Sequence, residues 1–235
     1  MIAEMNRISA KAEIAKTAII HDEVEIGEGA VIHDYVVVYP GTVVKAGAEV
    51  YDHCVLGKLP TSPGSTARVY SSGYEKTVIG EGCILCPGVV LYTGTTIGHN
   101  TLLGDYCSIR EKCVIGDYCI ISRNVSVNYE TTIGSYTKIM DNTHITGNMR
   151  IGNHVFISVL VASTNDNSMG RDDDAAEHLA GPVVEDYATV GAGASLLPGV
   201  VVGTNAVVGA SALVTKNVPA GKVVMGIPAK VIRDI

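Results

Sequence analysis

An aliphatic side chain returns at every sixth position over most of this chain. One run holds Ile14, Ile20, Ile26, Ile32, Val38, Val44, Val50 and Leu56. A second starts at Ile79 and passes through Leu85, Leu91, Ile97, Leu103, Ile109, Ile115, Ile121, Val127, Ile133, Ile139, Ile145 and Ile151 to Ile157. A third holds Val184, Val190, Leu196, Val202, Val208 and Val214. A period of six matches neither the α-helix, at about 3.6, nor the alternating strand of a sandwich. It fits a solenoid with a triangular coil of three hexapeptides, in which each side is a short strand and each corner a turn.

The other hexad positions agree. The residue after the aliphatic is often Gly, as at Gly80, Gly98, Gly116 and Gly191, and the fourth is usually small, as at Ala30, Cys83, Thr101, Cys107 and Ala212. With strand alternation, that small residue and the next aliphatic both face inward. A narrow interior explains a chain that is 47% hydrophobic yet has no Trp and one Phe. The aliphatic positions, three to a coil, predict nine coils or slightly more.

Two gaps break the period, at 57–78 and 163–183. The first is rich in Gly, Ser, Pro and Thr, the second polar and acidic. Long insertions in a regular solenoid are usually functional or disordered; function is expected of the second, while the first stays open.

The net charge of −7 argues against nucleic acid as a partner, since a phosphate backbone calls for a Lys/Arg footprint. No apolar run approaches the roughly 20 residues that span a bilayer. The first residues lack the uninterrupted apolar stretch of a signal peptide, and six Cys without one suggest a reducing compartment. A cytoplasmic protein is expected.

The stretch VGAGASLLPGVVVGTNAVVGASALVTKNVPAGKVVMGIPAKVIRDI, residues 190–235, resembles the hexapeptide-repeat acyltransferases. Its V-T-K-N-V-P element and the V-V-M-G-I-P-A-K-V-I after it are similar to the closing segment of maltose, serine and sugar acetyltransferases. The segment VFISVLVASTND looks most like nucleotide-amino-sugar N-acyltransferases, whose corresponding coil ends in a Thr-Asn pair, here Thr164 and Asn165. The resemblance implies one all-β domain over 1–235, a left-handed parallel β-helix of about nine coils with two inserted loops and a short C-terminal tail. It also implies an acyl-CoA-dependent transferase, acting as a homotrimer with active sites at subunit interfaces. Maltose acetyltransferase and its relatives carry a catalytic His near the Thr-Asn point. This chain has none between His154 and His178, which favours an amine acceptor, the more nucleophilic one, over an alcohol.

Acyl transfer from a thioester needs an acceptor freed of its proton, donors for the developing oxyanion and a slot for coenzyme A. Residues eighteen apart stack on adjacent coils, so Asn124 lies under Asn142, Arg123 under Asp141, and Ser126 under His144, which lies in turn under Ala162. His144 points outward near Asn142 and is expected to be a general base or substrate contact; the plainer reading is a hydrogen-bonded surface His. By resemblance, Asn165 orients the acceptor or the thioester carbonyl; otherwise it is an Asn in a turn at the start of a loop. An amine that loses its proton to water or to its own phosphates needs no protein base.

For coenzyme A, the resemblance assigns the backbone amides of Ala192 and Ala210 to the pantetheine arm. It places Thr215 and Lys216 beside the thiol-to-phosphate stretch, and Lys230 and Arg233 at the adenosine phosphates. Lys216, Lys222, Lys230 and Arg233 against Asp234 alone make a basic patch on an acidic chain, suited to a polyanion. No metal is expected: carbonic anhydrases with this fold need three His ligands, and no such triplet is spaced here. Cys83-x-x-Cys86 invites a redox or zinc reading, but Cys54, Cys83, Cys107, Cys113 and Cys119 all take the small inward position, and Cys86 alone departs from it. Asp172, Asp173, Asp174 and Glu177 attract an ammonium acceptor or merely solvate their loop.

The leading function is therefore N-acylation of a nucleotide-linked, dideoxy aminosugar in making a surface polysaccharide. O-acetylation of a sugar or small alcohol is the second reading, and a non-catalytic scaffold the third.

Overall fold

The computed structural model describes residues 6–64, 70, 72–169, 171 and 179–235. The chain winds as a three-sided parallel β-helix. Its faces are sheets of ten, twelve and ten strands, each strand before the C-terminal pair hydrogen-bonded to the one three elements earlier. Face I begins with Arg7–Ile8, face II with Glu13–Ile14 and face III with Ile19–Ile20. Below the last coil, partners lie eighteen residues apart wherever no insertion intervenes, as Ile97 with Ile115 and Ile121 with Ile139. This is the left-handed β-helix of the hexapeptide repeat.

Each hexad fills its slots for a physical reason. The periodic aliphatics are buried almost without exception, from Ile26 to Val214, each contributing roughly 1.5–3 kcal/mol. The third residue after nearly every one sits at a corner with positive φ, whatever its type: Tyr118 (54°), Asn124 (55°), His154 (56°), Gly193 (66°). Gly is favoured just after the aliphatic because successive corners touch there. A Cβ on Gly191 would meet Ala210 N at 2.5 Å.

The small inward residues do more than fill space. Thr101, Thr131, Thr137 and Thr143 each donate a hydroxyl to the corner carbonyl of the coil above, at 2.8–3.0 Å. Cys83, Cys113 and Cys119 take the same place, with Sγ 2.8–3.1 Å from Gly98 O, Asn128 O and Gly134 O. All five inward cysteines are buried and free, while Cys86 is half-buried. Burial pushes Cys54 and Cys113 up to about 12, so these thiols stay protonated.

The coil count comes out slightly higher than the aliphatic runs predict. Three strands to a coil give ten coils before the last strand pair, Lys222–Met225 and Lys230–Asp234. Two strands were invisible to the count. Arg7–Ile8 lies below the first run, and Ala162–Ser163 carries a polar residue in the aliphatic slot. Ser163 is buried there because its hydroxyl donates to His144 O and accepts from Thr146 N, both at 2.9 Å.

Both insertions leave the same edge, between faces III and I. One follows Val55–Lys58 at the end of the third coil, the other follows Ala162–Ser163 at the end of the eighth. Arg110 holds the first. Its guanidinium forks onto buried Glu111 at 2.8 and 3.3 Å, and lies 4.8 and 5.6 Å from the rings of Tyr92 and Tyr70. The base of the second is closed by Ala180 N donating to Asn165 O at 2.9 Å. Asp172, Asp173, Asp174, Glu177 and His178 lie outside the described residues.

Candidate functional site

Face III carries unusually small outward residues. From Ser108–Ile109 upward they are Ser108, Ser126, His144, Ala162, Ser195 and, on the top coil, Leu213, so His144 stands between small residues in a shallow trough. Ser126 Oγ lies 2.7 Å from His144 Nδ1. Half-burial holds the imidazole below its usual range, because desolvation penalises the charged form. If Nδ1–H donates to Ser126, Nε2 keeps its lone pair for a ligand in the trough.

Asn142 lies exposed at the II–III corner, two residues before His144, and its backbone N donates to Arg123 O at 3.0 Å. Beside it, Arg123 pairs with Asp141, which also accepts from Ser122; these bonds hold the Asp141 carboxyl below its ordinary value. Asn165 sits instead at the III–I edge. Its Nδ2 donates to Gly147 O at 3.2 Å and to Tyr129 Oη at 3.3 Å, so the amide clamps the start of the second insertion. The Tyr129 ring covers Gly147 closely enough that a Cβ there would meet it at 2.4 Å. Among the described residues no hydrogen bond joins His144, Asn142 and Asn165. They share one face and its two edges rather than a relay.

Ala192 and Ala210 stack at the II–III corner, where Ser211 N donates to Ala192 O at 2.8 Å. Their amides, like those of Asp105 and Asp141 lower on the same edge, donate to no acceptor among the described residues. At other corners the same backbone N–H is taken by a side chain one coil above: Asp34 N by Asp52, Arg123 N by Asp141 and Ser135 N by Asn153, at 2.9–3.1 Å. Ala192 and Ala210 have no such side chain to offer. The amides of Val159, Ala192 and Ala210 donate to no acceptor among the described residues. With Asp141, whose N–H also has no acceptor among the described residues, four successive coils present unpaired donors in a line beside the His144 trough.

The C-terminal hairpin folds over this edge, with Leu213 N donating to Gly226 O and Ala229 N to Leu213 O at 3.0 and 2.8 Å. Lys222 pairs with Asp234. Lys230 and Arg233 lie exposed on the strand that prolongs face II, and form no ion pair among the described residues. Thr215 and Lys216 are exposed across face III, at the III–I edge. The coenzyme set therefore divides between two edges of one face: Ala192, Ala210, Lys230 and Arg233 on the first side, Thr215 and Lys216 on the other.

Ser126, Tyr129, Gly147 and Val159 were absent as functional candidates from the reading of the sequence. Counting eighteens reaches Ser126 and, in two coils, the Tyr129–Asn165 contact. Val159 escapes the count because the second insertion separates it from Ala192, its neighbour in space. Among the described residues no three His, Cys, Asp or Glu side chains gather in a way that could hold a metal, and no helix is long and apolar enough to cross a membrane.

Comparison with known proteins places these repeats. The bacterial transferase hexapeptide profile (six repeats) matches residues 94–128 and 181–216, and those segments are repeats of that kind. A 2,3,4,5-tetrahydropyridine-2,6-dicarboxylate N-acetyltransferase of Staphylococcus aureus is 54% identical over 52 residues, which make up 22% of this chain and 22% of that protein. The match thus spans about a fifth of the relative's length. The Arabidopsis UDP-N-acetylglucosamine acyltransferase superposes with a TM-score of 0.75 at 21% identity, over 94% of this chain and 74% of that one. The corresponding acyltransferase of Bacteroides fragilis gives 0.54 at 17%, with the same coverages. Both likenesses are of fold.

Proposed function

We propose that this hexapeptide-repeat chain is an acyl-CoA-dependent N-acyltransferase whose acceptor is the amine of a nucleotide-linked aminosugar, working as a homotrimer with active sites between subunits. The observation that carries the proposal is the line of unpaired amides at Val159, Ala192 and Ala210 beside a trough in which His144 stands between the small residues Ser126 and Ala162. The matched relative, an N-acetyltransferase by name, supports nitrogen as the acceptor atom.

The residues fit coenzyme A. A pantetheine arm has amide carbonyls along its length, and the three N–H groups recur at the coil spacing of ~4.8 Å. Its phosphates suit the cations Lys216, Lys230 and Arg233. Bound there, an acyl-CoA supplies a thioester whose C–S bond breaks as the acceptor's N–C bond forms. Ser126 fixes the His144 ring, and Nε2 takes the proton released by the acceptor nitrogen and passes it to the departing sulfur. Because half-burial lowers its pKa, His144 is neutral near pH 7. Asn142 lies within the same stretch of surface to bind the acceptor, while Asn165 acts on the acceptor through the loop that it clamps.

The test is turnover of acetyl-CoA with nucleotide-linked aminosugars and with the matching sugar alcohols, followed by free thiol. Amines should be acetylated and alcohols not. Turnover of alcohols alone would establish O-acyl transfer, and no thermal shift with millimolar acetyl-CoA would leave a scaffold.

A further inference from the structure

From Thr96–Ile97 upward, Arg150 is the one charged residue in its column on face I. The outward positions from Thr96–Ile97 upward are Thr96, Val114, Thr132, Arg150, Val183 and Val201. Its side chain is exposed and makes no hydrogen bond or ion pair among the described residues; only its backbone N is engaged, donating to Pro182 O at 3.2 Å. Surface arginines often lie free, but this one separates two hollows. One, of about 430 Å³, runs toward the I–II edge past Gly152 and Thr204. The other, of about 410 Å³, runs to the III–I edge past Asn148 and Gly181, at the foot of the second insertion.

Among the described residues, the acids lining the hollows form no ion pair with it. Glu185 Oε2 accepts from both N and Oγ1 of Thr204 at 2.8 Å. Asp186 Oδ1 accepts from Asn153 N at 2.7 Å and Nδ2 at 3.3 Å. Both carboxylates are thus engaged by the corners of adjacent coils. Glu130 lines the second hollow without forming an ion pair with Arg150. What remains is a planar, permanently charged fork between two concave surfaces. Such a fork binds a phosphate through two parallel N–H···O bonds.

We propose that Arg150 anchors the diphosphate of the acceptor, with the two hollows receiving the groups on either side of it. The assignment rests on the acceptor being nucleotide-linked. The geometry allows one ligand to serve both places. The second hollow begins at Asn148, one residue beyond Gly147, whose carbonyl holds Asn165. Arg150 is six residues from His144, at most about 20 Å of extended chain, around a single corner. An elongated acceptor with phosphates on face I and its amine toward face III would pass beneath the clamped loop. Coenzyme A, with its pantetheine arm on the II–III edge and its cations on the top coil and the C-terminal hairpin, would leave face I at Arg150 open.

Arg150→Ala, Arg150→Lys and the parent protein should be titrated calorimetrically with a nucleoside diphosphate and with acetyl-CoA, and assayed with a nucleotide-linked aminosugar. Arg150→Ala should weaken nucleoside diphosphate binding and raise the KM for the aminosugar by about tenfold to a hundredfold, the worth of a charged hydrogen-bond pair. Arg150→Lys should recover part of both, and acetyl-CoA affinity should not move. Unchanged diphosphate affinity and KM in Arg150→Ala, or equal loss of acetyl-CoA binding, would overturn the anchor while leaving acyl transfer intact. Diphosphate binding lost with Arg150 in a protein that acetylates no nucleotide-linked amine would instead sink the proposed reaction and keep the anchor.

Discussion

The I–II and II–III edges are built from the same corner, yet they treat its backbone in opposite ways. In the middle of the I–II edge four successive N–H groups are closed by the coil above: His99 N by Asp117, Asp117 N by Ser135, Ser135 N by Asn153 and Asn153 N by Asp186, at 2.7–3.0 Å. Outside that ladder runs a second one, of stacked rings. Tyr118, Tyr136, His154 and Tyr187 lie 4.8–5.1 Å apart and nearly parallel. In the upper coils of the II–III edge, Val159, Ala192 and Ala210 leave the amides open. The lesson is that a repeat can build a self-contained wall or a binding edge by choosing one side chain per corner.

The two histidines near these edges should divide accordingly. His144→Ala should lower turnover at least a hundredfold, the usual worth of a general base, whereas His154→Ala should leave it within about twofold and cost only a ring stack of about 0.5–1.5 kcal/mol. Near-normal turnover of His144→Ala would mean that the acceptor's own groups take the proton. The pH profile sharpens the point. Activity that needs neutral His144 is lost as pH falls through a pKa that burial has lowered, so the acid limb of kcat/KM should lie below about 6.5. In Ser126→Ala the ring loses its tether; kcat should fall about tenfold with the KM for acetyl-CoA unchanged.

Smaller effects are expected on the closed edge. Asp117→Ala leaves His99 N unpaired and should cost about 1 kcal/mol in chemical unfolding, with activity retained. Smallest of all is a matter of access. Half-buried Cys86 should react with a thiol reagent before the buried five, and all six cysteines should react only after denaturation. Prompt labelling of several thiols in the native protein would mean that the coils open far more easily than this packing allows.

The solenoid was legible because six-residue spacing leaves the chain few other ways to bury its aliphatics. Register was legible too, so Arg123–Asp141 and Ser126–His144 meet as eighteen-residue counting predicts. Legibility failed where the count failed. Ser163 holds an aliphatic slot with a hydroxyl because the ladder is interrupted there, and Val159 sits under Ala192 only once the insertion is looped out. Asn165 shows a further limit. Its family role concerns the acceptor, yet its amide is spent on Gly147 O and Tyr129 Oη, a pairing that depends on where a loop returns. Arg150 carried no motif at all; its setting is a product of neighbouring coils.

The central claim is that the open amides of the II–III edge hold the pantetheine arm. Ala210→Asn places a neutral acceptor where Asn153 sits on the closed edge, so that it caps Ala192 N. Its affinity for acetyl-CoA, measured calorimetrically beside that of Ser135→Ala, which opens an amide on the opposite edge, tests the claim most directly. The account predicts binding at least tenfold weaker in Ala210→Asn and unchanged in Ser135→Ala, both folded; equal affinity in Ala210→Asn and the parent protein would contradict it.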